Sequence, residues 1–596
     1  MRSPMLSHEL VAAAHLADSE ARKHLDFSQS TDWSAVLGIL TRNKVPLAGL
    51  AYDSALDTCP LLTQPTFQEV AAKEEATWSA LRAEYALVHK EFLNKGIQSV
   101  LIKSVGLAPS FPYTSDNLDV LVRPEHIGLA RGVLNDLGYV ELRNIEEPQK
   151  FLFRKFRGGE SVSAIHLHGL VGWGVPFMDE EALWARCRVS VDDPLVLVPS
   201  PEDGFLITIA HAFYENKSFK LLDLARIRHC LRQGELDFAY MERVARRRGW
   251  ADGLALSLLL CARLEEWLYG ESLIPHRIRE RAETVVAASA WLRQPLESTL
   301  KQDKITFPFR IPFLFGKVLY YRKILTDSER SLPTRLADVV RTLAWGIKLK
   351  LRISGQRGML ISFSGTDGSG KTVHARALVD AFTTSEIRAR YFWSRAGASA
   401  WMGQLGRMVS GKRDRTRVSD TASALARRRQ RLRHPLLRLG WLILTLADLI
   451  VRYNLRVRLL RLVGGVVVCD RYIYDATVEI AASLPGSSAW AWWAERVLIM
   501  LCPRPDVAWL LDVPAEVGAR RQPDEAGNLA AQQELEQQRA TYLALARRCG
   551  LTLLDTRSGQ AQTTSQVVRE TLRRYYHDYG TWVNALLLSN PSQLNR

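Results

Sequence analysis

The amino-acid sequence predicts an α/β protein whose C-terminal part contains a parallel sheet covered by helices. Four segments of that part have the pattern of buried strands, at 359–365, 466–470, 507–513 and 551–556. Each segment is apolar almost throughout, and the stretches between them carry apolar residues at helical spacing. Apolar strands that alternate with helices are typical of a parallel sheet with both faces covered.

A second, smaller α/β unit is predicted before this sheet. Strand patterns at 98–104, 116–122 and 163–171 flank a helix that begins at Pro124. The next hundred residues are mostly helical, and a basic, amphipathic stretch with several prolines follows. We therefore expect three segments in the first part of the chain: a helical N-terminal region (1–80), the small α/β domain (81–200) and its helical follow-on (201–300). A basic amphipathic linker (301–358), the C-terminal domain (359–580) and a tail (581–596) are expected to follow.

The composition excludes several classes of protein. Of the 596 residues, 47% are apolar, which rules out wholesale disorder. The chain has 79 Lys and Arg against 63 Asp and Glu, a formal charge of +16 that suits an anionic partner. Seven cysteines without a C-x-x-C pair indicate free thiols in a reducing compartment. Because we find neither a signal peptide nor an apolar run of about 20 residues, we expect a cytoplasmic protein.

The strongest functional signal is the segment GTDGSGKT at 365–372. It fits the pattern G-x-x-x-x-G-K-[ST] between a predicted strand and a predicted helix. Glycines let backbone N–H groups converge on phosphate oxygens, and the start of the helix adds unpaired donors. The pattern predicts a P-loop that binds ATP through Gly365, Asp367, Gly368, Ser369, Gly370, Lys371 and Thr372. Lys371 is expected to bridge the β- and γ-phosphates, and the Thr372 hydroxyl to ligate Mg²⁺.

Asp470 and Arg471 end the predicted strand 466–470 and begin the segment after it. Their side chains emerge at the carboxyl edge of the sheet, where open α/β sheets bind ligands. We expect Asp470 to hold the Mg²⁺ shell or to orient the acceptor, and Arg471 to grip an anionic group of the acceptor. The alternative is an ion pair at the end of the strand.

The motifs GTDGSGKT, VVVCDRY, PDVAWLLDVPAEVGARR and QELEQQRATYLALA, over 359–575, resemble the thymidylate kinase family in order and spacing. The resemblance implies a P-loop kinase fold and ATP- and Mg²⁺-dependent transfer of the γ-phosphoryl group to a nucleoside monophosphate. It also implies that Asp367 approaches the acceptor and that Asp512 ends the strand before a lid. Arg520 and Arg521 would then belong to this lid over the donor phosphates, with Asp555 near the donor base.

Three departures from the family pattern leave the acceptor open. The R-E-P-G-G segment is absent, with Arg395 as the matching arginine, and the A-D-R helix motif is here Ala-Asp-Leu. After Tyr472 the Ala-Tyr-Gln that helps to read the base is absent too. The predicted catalytic residues are Lys371, Asp470, Arg471, Arg520 and Arg521. The predicted metal ligands are Thr372 and Asp470. The predicted substrate-binding residues are Asp367, Arg395, Arg471 and Tyr472. We expect the acceptor to be a nucleoside monophosphate or a related small molecule.

The first α/β unit offers a second candidate site. VLIKSVGLAPSFPYTSDNLDVLV and IHLHGLV resemble an uncharacterised nucleotidyltransferase-like family, whose pattern runs L-K-G, D-x-D-L-L-V and then a strand with a histidine. The matching residues are Lys103, Asp116, Asp119, His166 and His168. Nucleotidyltransferases hold Mg²⁺ with two carboxylates at i and i+2 of a strand, but an asparagine precedes Asp119 by two residues. The two same-face histidines also suit zinc, for which the sequence shows no third ligand.

Several alternatives stay open at this point. The N-terminal unit is an active nucleotidyltransferase, a degenerate ligand-binding domain or a structural domain. The whole chain is a phosphotransferase or, alternatively, a nucleotide-binding regulatory or scaffold protein without efficient kinase activity. We expect a nucleotide or another small molecule as acceptor and no nucleic-acid partner, since no zinc-finger or RNA-recognition signature occurs. The arginine clusters between 412 and 433 leave open an anionic partner, such as a nucleotide, a polymer or a membrane surface with weak association, and equally a solvated helix face. The stretch 301–358 leaves open a surface-seeking helix or one packed on a neighbouring domain, and a homodimer is also open.

Overall fold

The computed structural model describes the chain in two compact units, one formed mainly by residues 1–352 and the other mainly by 353–595. Its description omits 1–4, 26, 28–30, 104–116, 143–148, 192, 302–303, 351–357, 395–433, 485–487, 522–528, 558 and 588–596. The other domain boundaries expected from the sequence stay predictions.

The first unit contains a mixed five-stranded sheet. Its strands are β1 (Ser99–Leu101), β2 (Asn117–Val122), β3 (Val140–Leu142), β4 (Lys150–Arg157) and β5 (Glu160–His168). They lie in the order β1-β2-β5-β4-β3. β2 and β5 are parallel, whereas β1 is antiparallel to β2 and β3 is antiparallel to β4. The sequence patterns predicted β1, β2 and β5 but missed β3 and β4, which are short or rich in Lys and Arg.

Helices surround this sheet and build most of the first unit. The α-helices are His8–Ala17, Trp33–Arg42, Leu47–Ala51, Pro65–Asn94, Ile127–Asp136, Glu180–Arg186, Pro201–Ala210, Leu221–Arg232, Phe238–Arg247, Ala251–Tyr269, His276–Ala287, Ala290–Leu300, Phe313–Thr326 and Leu332–Lys350. Short two-residue strands pair as β6 (Arg188–Val189) with β7 (Leu197–Val198) and as β8 (Ser218–Phe219) with β9 (Phe309–Arg310). Local sequence sets some of the ends: the Asp32 carboxylate accepts from two N–H groups of the helix it precedes, and Pro65 begins the longest helix.

The stretch 301–358, expected to be a linker with one or two helices, contains a helix that packs within the first unit. Helix Phe313–Thr326 places Leu319, Tyr320 and Ile324 in the same apolar core as helix Ala251–Tyr269. Other apolar residues of this helix, Leu314 and Val318 among them, are exposed.

The second unit contains a five-stranded sheet in which every pair of neighbours is parallel. Its strands are β10 (Leu360–Gly365), β11 (Ala389–Trp393), β12 (Val466–Asp470), β13 (Val507–Asp512) and β14 (Thr552–Asp555), in the order β11-β12-β10-β13-β14. The helices are Lys371–Thr384, Pro435–Arg452, Arg458–Leu462, Ile473–Ser483, Ser488–Leu501, Ala515–Arg520, Leu529–Cys549 and Gln560–Leu587, with a π-helical turn at Tyr453–Val457. The prediction of an α/β protein with a helix-covered parallel sheet is confirmed.

Burial explains why β10 and β12 are mostly apolar. All residues of both strands are buried, as expected for the centre of a sheet with helices on both faces. In the parallel register Phe363 lies beside Asp470, so the two strands end next to each other. The segments that follow them, at 365–372 and 470–475, therefore meet at one edge of the sheet.

Two further expectations can be compared with the structure. All seven cysteines have free thiols, and five of them are buried, which confirms the prediction of packed, unpaired cysteines. Among the described helices, none combines the length and the apolarity that crossing a membrane requires.

A buried ion cluster ties the N-terminal helices of the first unit to its helical core. Arg228 Nε donates to Asp18 Oδ2 at 2.5 Å, and its Nη1 lies 3.5 Å from Glu265 Oε1. The guanidinium also lies over the ring of Tyr269, 3.9 Å from its centroid. The side chain of Arg228 is 3% exposed and both carboxylates are fully buried, so neither acid can replace this partner with water.

We predict that Arg228→Ala lowers the free energy of unfolding by about 3–5 kcal/mol, because it leaves the buried Glu265 without its cation and removes one of the two arginines that pair with Asp18. The exposed pair of Lys23 with Glu20, at 2.9 Å, provides the control: Lys23→Ala should cost no more than about 1 kcal/mol. Chemical denaturation followed by circular dichroism measures both. Equal losses for the two variants would contradict the structural importance of the cluster.

Candidate functional site

A glycine-rich loop joins β10 to helix Lys371–Thr384 and turns sharply at its glycines. Gly368 and Gly370 have φ angles of +81° and +91°, a region that residues with a Cβ rarely adopt. A Cβ on Gly368 would also lie 2.4 Å from the carbonyl oxygen of Gly518. The loop therefore requires glycine at this position both for its backbone conformation and for space.

Lys371 is buried at the start of the helix with its ammonium group folded over the loop. Nζ donates to the carbonyl oxygens of Gly365, at 2.8 Å, and Thr366, at 2.7 Å, and it lies 3.6 Å from Asp367 Oδ1. Burial lowers the pKa of Lys371, and the positive charge of Arg471 lowers it further. The ammonium group is thus held by acceptors of the loop, at the position where a bound anion would compete for it.

Asp470 is the last residue of β12 and lies beside this loop. One of its carboxylate oxygens accepts hydrogen bonds from two hydroxyl groups. Thr372 Oγ1 and the Tyr391 hydroxyl each donate to Asp470 Oδ2 at 2.6 Å. The other oxygen, Oδ1, is buried and has no hydrogen-bond partner among the described residues. Buried carboxylate oxygens normally have a partner, so an unpartnered oxygen next to a threonine hydroxyl suits a hard cation.

Arg471 follows Asp470 in a left-handed conformation, with a φ of +73°. Its guanidinium forms an ion pair with Asp367 across the loop and lies 3.6 Å from Glu479 Oε1. Burial lowers the pKa of Arg471, but the carboxylates of Asp367 and Asp475 raise it more, so the pKa lies above its usual value. The cation is therefore held at the rim of the loop, where the Asp367 side chain is 47% exposed.

An open cavity of about 590 Å³ lies over the loop. It is lined by Asp367, Gly368, Gly370, Lys371, Thr372, Val373, His374, Trp393, Arg471, Arg521, Thr556 and Gln560. Arg521 reaches it through hydrogen bonds to the carbonyl oxygens of Gly368, at 3.3 Å, and Thr556, at 3.1 Å. The structure thus brings together most of the loop residues, Arg471 and Arg521, which the sequence predicts from separate motifs.

Other predicted site residues lie elsewhere. Tyr472 requires a correction, because its side chain is buried in the core and its hydroxyl donates to the Pro503 carbonyl oxygen at 2.8 Å. It cannot bind substrate from there. Arg520 is 72% exposed, pairs with Glu516 and does not line the cavity. Arg395 lies outside the described residues.

Three side chains at the site were missed by the sequence reasoning. Tyr391 and Trp393 lie on one face of β11, and Trp393 pairs in register with Asp470. Alternation along this strand could have shown that these two aromatic side chains share one face of the sheet, but not which strand lies beside them. Asp475 accepts from the hydroxyls of Ser364, at 2.6 Å, and Tyr542, at 2.9 Å, and caps helix Ile473–Ser483. Its position three residues into the helix is a capping signal that the sequence already carries.

Two of the carboxylates named in the sequence analysis, at the ends of β13 and β14, form ion pairs with arginines. Asp512, at the end of β13, accepts from Arg539 Nε and Nη2 at 2.6 and 2.9 Å. Asp555, at the end of β14, pairs in the same way with Arg557. These bidentate pairs fix the ends of the strands, and neither carboxylate lines the cavity.

The first unit brings together the second set of predicted residues. Asp119 Oδ1 lies 3.1 Å from Lys103 Nζ, 3.2 Å from His166 Nδ1 and 3.0 Å from His168 Nε2. Burial raises the pKa of Asp119, but Lys103 and the two histidines lower it more, so the pKa lies well below the usual value. Burial lowers the pKa of His168 to about 4. Asp116 lies outside the described residues.

A second carboxylate that the sequence did not indicate lies beside this cluster. Glu215 Oε2 is 4.0 Å from Lys103 Nζ and 2.9 Å from His211 Nε2, and its Oε1 is 3.9 Å from Lys150 Nζ. It stands in a π-helical turn, His211–Asn216, whose position the pattern of apolar residues does not reveal. The cluster thus has two carboxylates that share one lysine.

The glycine loop yields a prediction about stability. Gly368→Ala should lower the free energy of unfolding of the second unit by about 1–3 kcal/mol, because alanine is strained at this φ and lacks space. Gly440→Ala is the matched control: in helix Pro435–Arg452 an added Cβ meets no atom within 4 Å. That substitution should stabilise the helix by up to about 1 kcal/mol. Denaturant melts that show the same sign for both would contradict the assigned loop geometry.

Comparisons with known proteins agree with both resemblances expected from the sequence. Residues 29–265 match the model of a family described as uncharacterised nucleotidyltransferase. The chain is 32% identical over 184 residues to the thymidylate kinase of Cutibacterium acnes (strain DSM 16379 / KPA171202), a match that covers 30% of this chain and 74% of that protein. Because the chain covers more than two thirds of this relative at 32% identity, the similarity shows that the chain belongs to the thymidylate kinase family.

Proposed function

We propose that the second unit is an ATP- and Mg²⁺-dependent phosphotransferase of thymidylate kinase type with a P-loop kinase fold. It would transfer the γ-phosphoryl group to a nucleoside monophosphate or a related small acceptor. The observation that carries the proposal is the meeting of the glycine loop with Asp470 and Arg471, at the ends of two adjacent parallel strands. Similarity to a thymidylate kinase supports a nucleotide-related transferase, and this arrangement is the reason for proposing a kinase.

The loop and the helix after it supply the binding site for the donor phosphates. Phosphoryl transfer requires alignment and charge neutralisation more than covalent catalysis. The N–H groups at the start of the 14-residue helix Lys371–Thr384 point toward the loop and favour an anion there. Lys371 would exchange its two carbonyl acceptors for phosphate oxygens, and Arg521 lies at the rim of the same cavity.

Thr372 and Asp470 are the residues that would hold Mg²⁺. Their side chains already contact each other, and the unpartnered Oδ1 of Asp470 offers the free oxygen that a cation requires. The metal ion, when bound, neutralises charge on the transferred phosphate group. Tyr391 positions Asp470 for this role, because its hydroxyl fixes the same Oδ2 that Thr372 contacts.

The acceptor would enter from the side of Arg471 and Trp393. Arg471 is paired with Asp367, and an anionic group of the acceptor would draw the guanidinium away from this partly exposed carboxylate. Trp393 is 51% exposed and lines the same cavity, so its ring offers an apolar face to a base or a sugar. Since Tyr472 is buried, these two residues are the better candidates for acceptor contacts.

A screen of acceptors tests this proposal against the alternative of a regulatory nucleotide-binding protein. ADP release from ATP is measured in the presence of nucleoside monophosphates, sugars and sugar phosphates. Turnover with one class of acceptor supports the kinase and names its substrate. ATP binding without stimulated turnover by any of these acceptors supports a regulatory role.

We predict that Lys371→Ala lowers the rate of phosphoryl transfer by at least about 10²–10³-fold, because a positive charge aimed at the developing phosphate charge is lost. Arg390→Ala, which removes an exposed cation of the neighbouring strand β11, is the control and should leave the rate unchanged. Steady-state ADP release measures both. Full activity of the lysine variant would exclude the loop as the donor site.

We predict that Arg471→Ala raises the KM of the acceptor about 10- to 100-fold, since hydrogen bonds to charged groups contribute about 1.5–3 kcal/mol. The KM of ATP should change far less, because Lys371 and the loop remain. Arg548→Ala, which removes an arginine that is 56% exposed and pairs with Glu495, is the control. If both KM values rise equally in the Arg471 variant, the residue does not belong to the acceptor site.

A further inference from the structure

We propose that Asp119, His166 and His168 form a binding site for a transition-metal dication of the zinc class in the first unit. This site is separate from the proposed phosphotransferase site and does not depend on it. It also differs from a pair of strand carboxylates for Mg²⁺, because two of the three ligands are imidazoles.

The strand pairing places the three ligands on one face of the sheet. β2 and β5 are parallel, and Asp119 lies directly beside His166 in their register. His168 follows two residues later on the same strand, so its side chain emerges on the same face as that of His166. Because all three residues stand on paired strands, the hydrogen bonds between the strands fix the backbone that carries the site.

The distances suit coordination of one ion. Asp119 Oδ1 lies 3.2 Å from His166 Nδ1 and 3.0 Å from His168 Nε2, and the ligand atoms of the three residues lie within 4.8 Å of one another. Ligands bound to zinc at about 2.0–2.2 Å lie roughly 3–3.5 Å apart. Small rotations of the side chains would therefore close the three atoms around an ion without a change in the backbone.

The donor set selects the class of metal. Imidazole suits zinc and its neighbours in the first transition row, whereas Mg²⁺ prefers carboxylates, carbonyls and water. The position two residues before Asp119 on β2 is Asn117, whose side chain hydrogen-bonds His166 at 3.2 Å. The contact is to Nδ1, the nitrogen that would bind the ion, so the amide of Asn117 must release it when the metal binds. This asparagine supplies no second negative charge for Mg²⁺.

Lys103 competes with the metal for the same carboxylate. Its ammonium group lies 3.1 Å from Asp119 Oδ1 and 4.0 Å from Glu215 Oε2. A dication at Asp119 would repel Lys103, and Glu215 is close enough to accept it as a partner. Lys103 and His166 are 20% and 21% exposed, so a metal ion can enter and a coordination position stays open to a further ligand.

The test titrates Zn²⁺ into the full-length protein after treatment with a chelator, using isothermal titration calorimetry. We expect one strong site per chain. His166→Ala and Asp119→Asn should each weaken it by at least about 100-fold, since even partners of metal ligands contribute about 10–100-fold. His276→Ala, which removes a histidine that is 75% exposed, should leave the strong site intact. Lys103→Met should strengthen Zn²⁺ binding, because the competing cation is gone.

Co²⁺ provides a second readout that does not depend on heat. Its visible absorption should indicate nitrogen and oxygen ligands and should disappear in His166→Ala, whose folding is checked by circular dichroism. His166 is chosen for this variant because it is more exposed than His168 and its loss disturbs the core less. The proposal is overturned if no strong site is found, or if the Asp119 and His166 variants bind Zn²⁺ as tightly as the wild type.

Discussion

The second unit depends on a single carboxylate at the end of its third strand. The parallel register of β10 and β12 places Asp470 next to the glycine loop, and two hydroxyl groups from different elements fix one of its oxygens. The other oxygen stays buried without a partner among the described residues. Leaving such an oxygen unpaired is costly in a protein interior, so the position is better explained by a ligand than by the stability of the fold.

The cations around this carboxylate are held in a way that a phosphate can replace. Lys371 is bound to carbonyl oxygens of its own loop, and Arg471 to the partly exposed Asp367. A polyanion in the cavity offers both groups stronger acceptors at the same place. The structure thus keeps two positive charges beside the cavity, and under the proposed function an anion would displace only these side-chain contacts.

Much of this site could be predicted from the sequence because it follows from local patterns. The loop from Gly365 to Thr372 has a fixed spacing, and Asp470 and Arg471 follow directly after a buried strand. Tyr391 and Trp393 could not be assigned with the same certainty, since their role depends on which strand lies beside β12. The prediction for Tyr472 failed for a related reason: Arg471 before it lines the cavity, but the side chain of Tyr472 packs into the core.

The first unit shows the limits of pattern reasoning more strongly. The same-face placement of His166 and His168 follows from alternation along one strand, but the pairing with Asp119 requires the register of two strands. Glu215 comes from a helical turn far along the chain, and the strands β3 and β4 carry too little apolar pattern to be predicted. Long-range pairing, rather than local propensity, decides these contacts.

The account rests on the claim that the glycine loop and Asp470 together bind a nucleoside triphosphate with its metal ion. Calorimetric titration of ATP into the full-length protein, with and without Mg²⁺, measures this most directly when the wild type and Asp470→Asn are compared. The account predicts that Mg²⁺ strengthens ATP binding to the wild type and that the asparagine variant loses most of this gain. Equal affinities with and without Mg²⁺, or an unchanged metal effect in the variant, would contradict it.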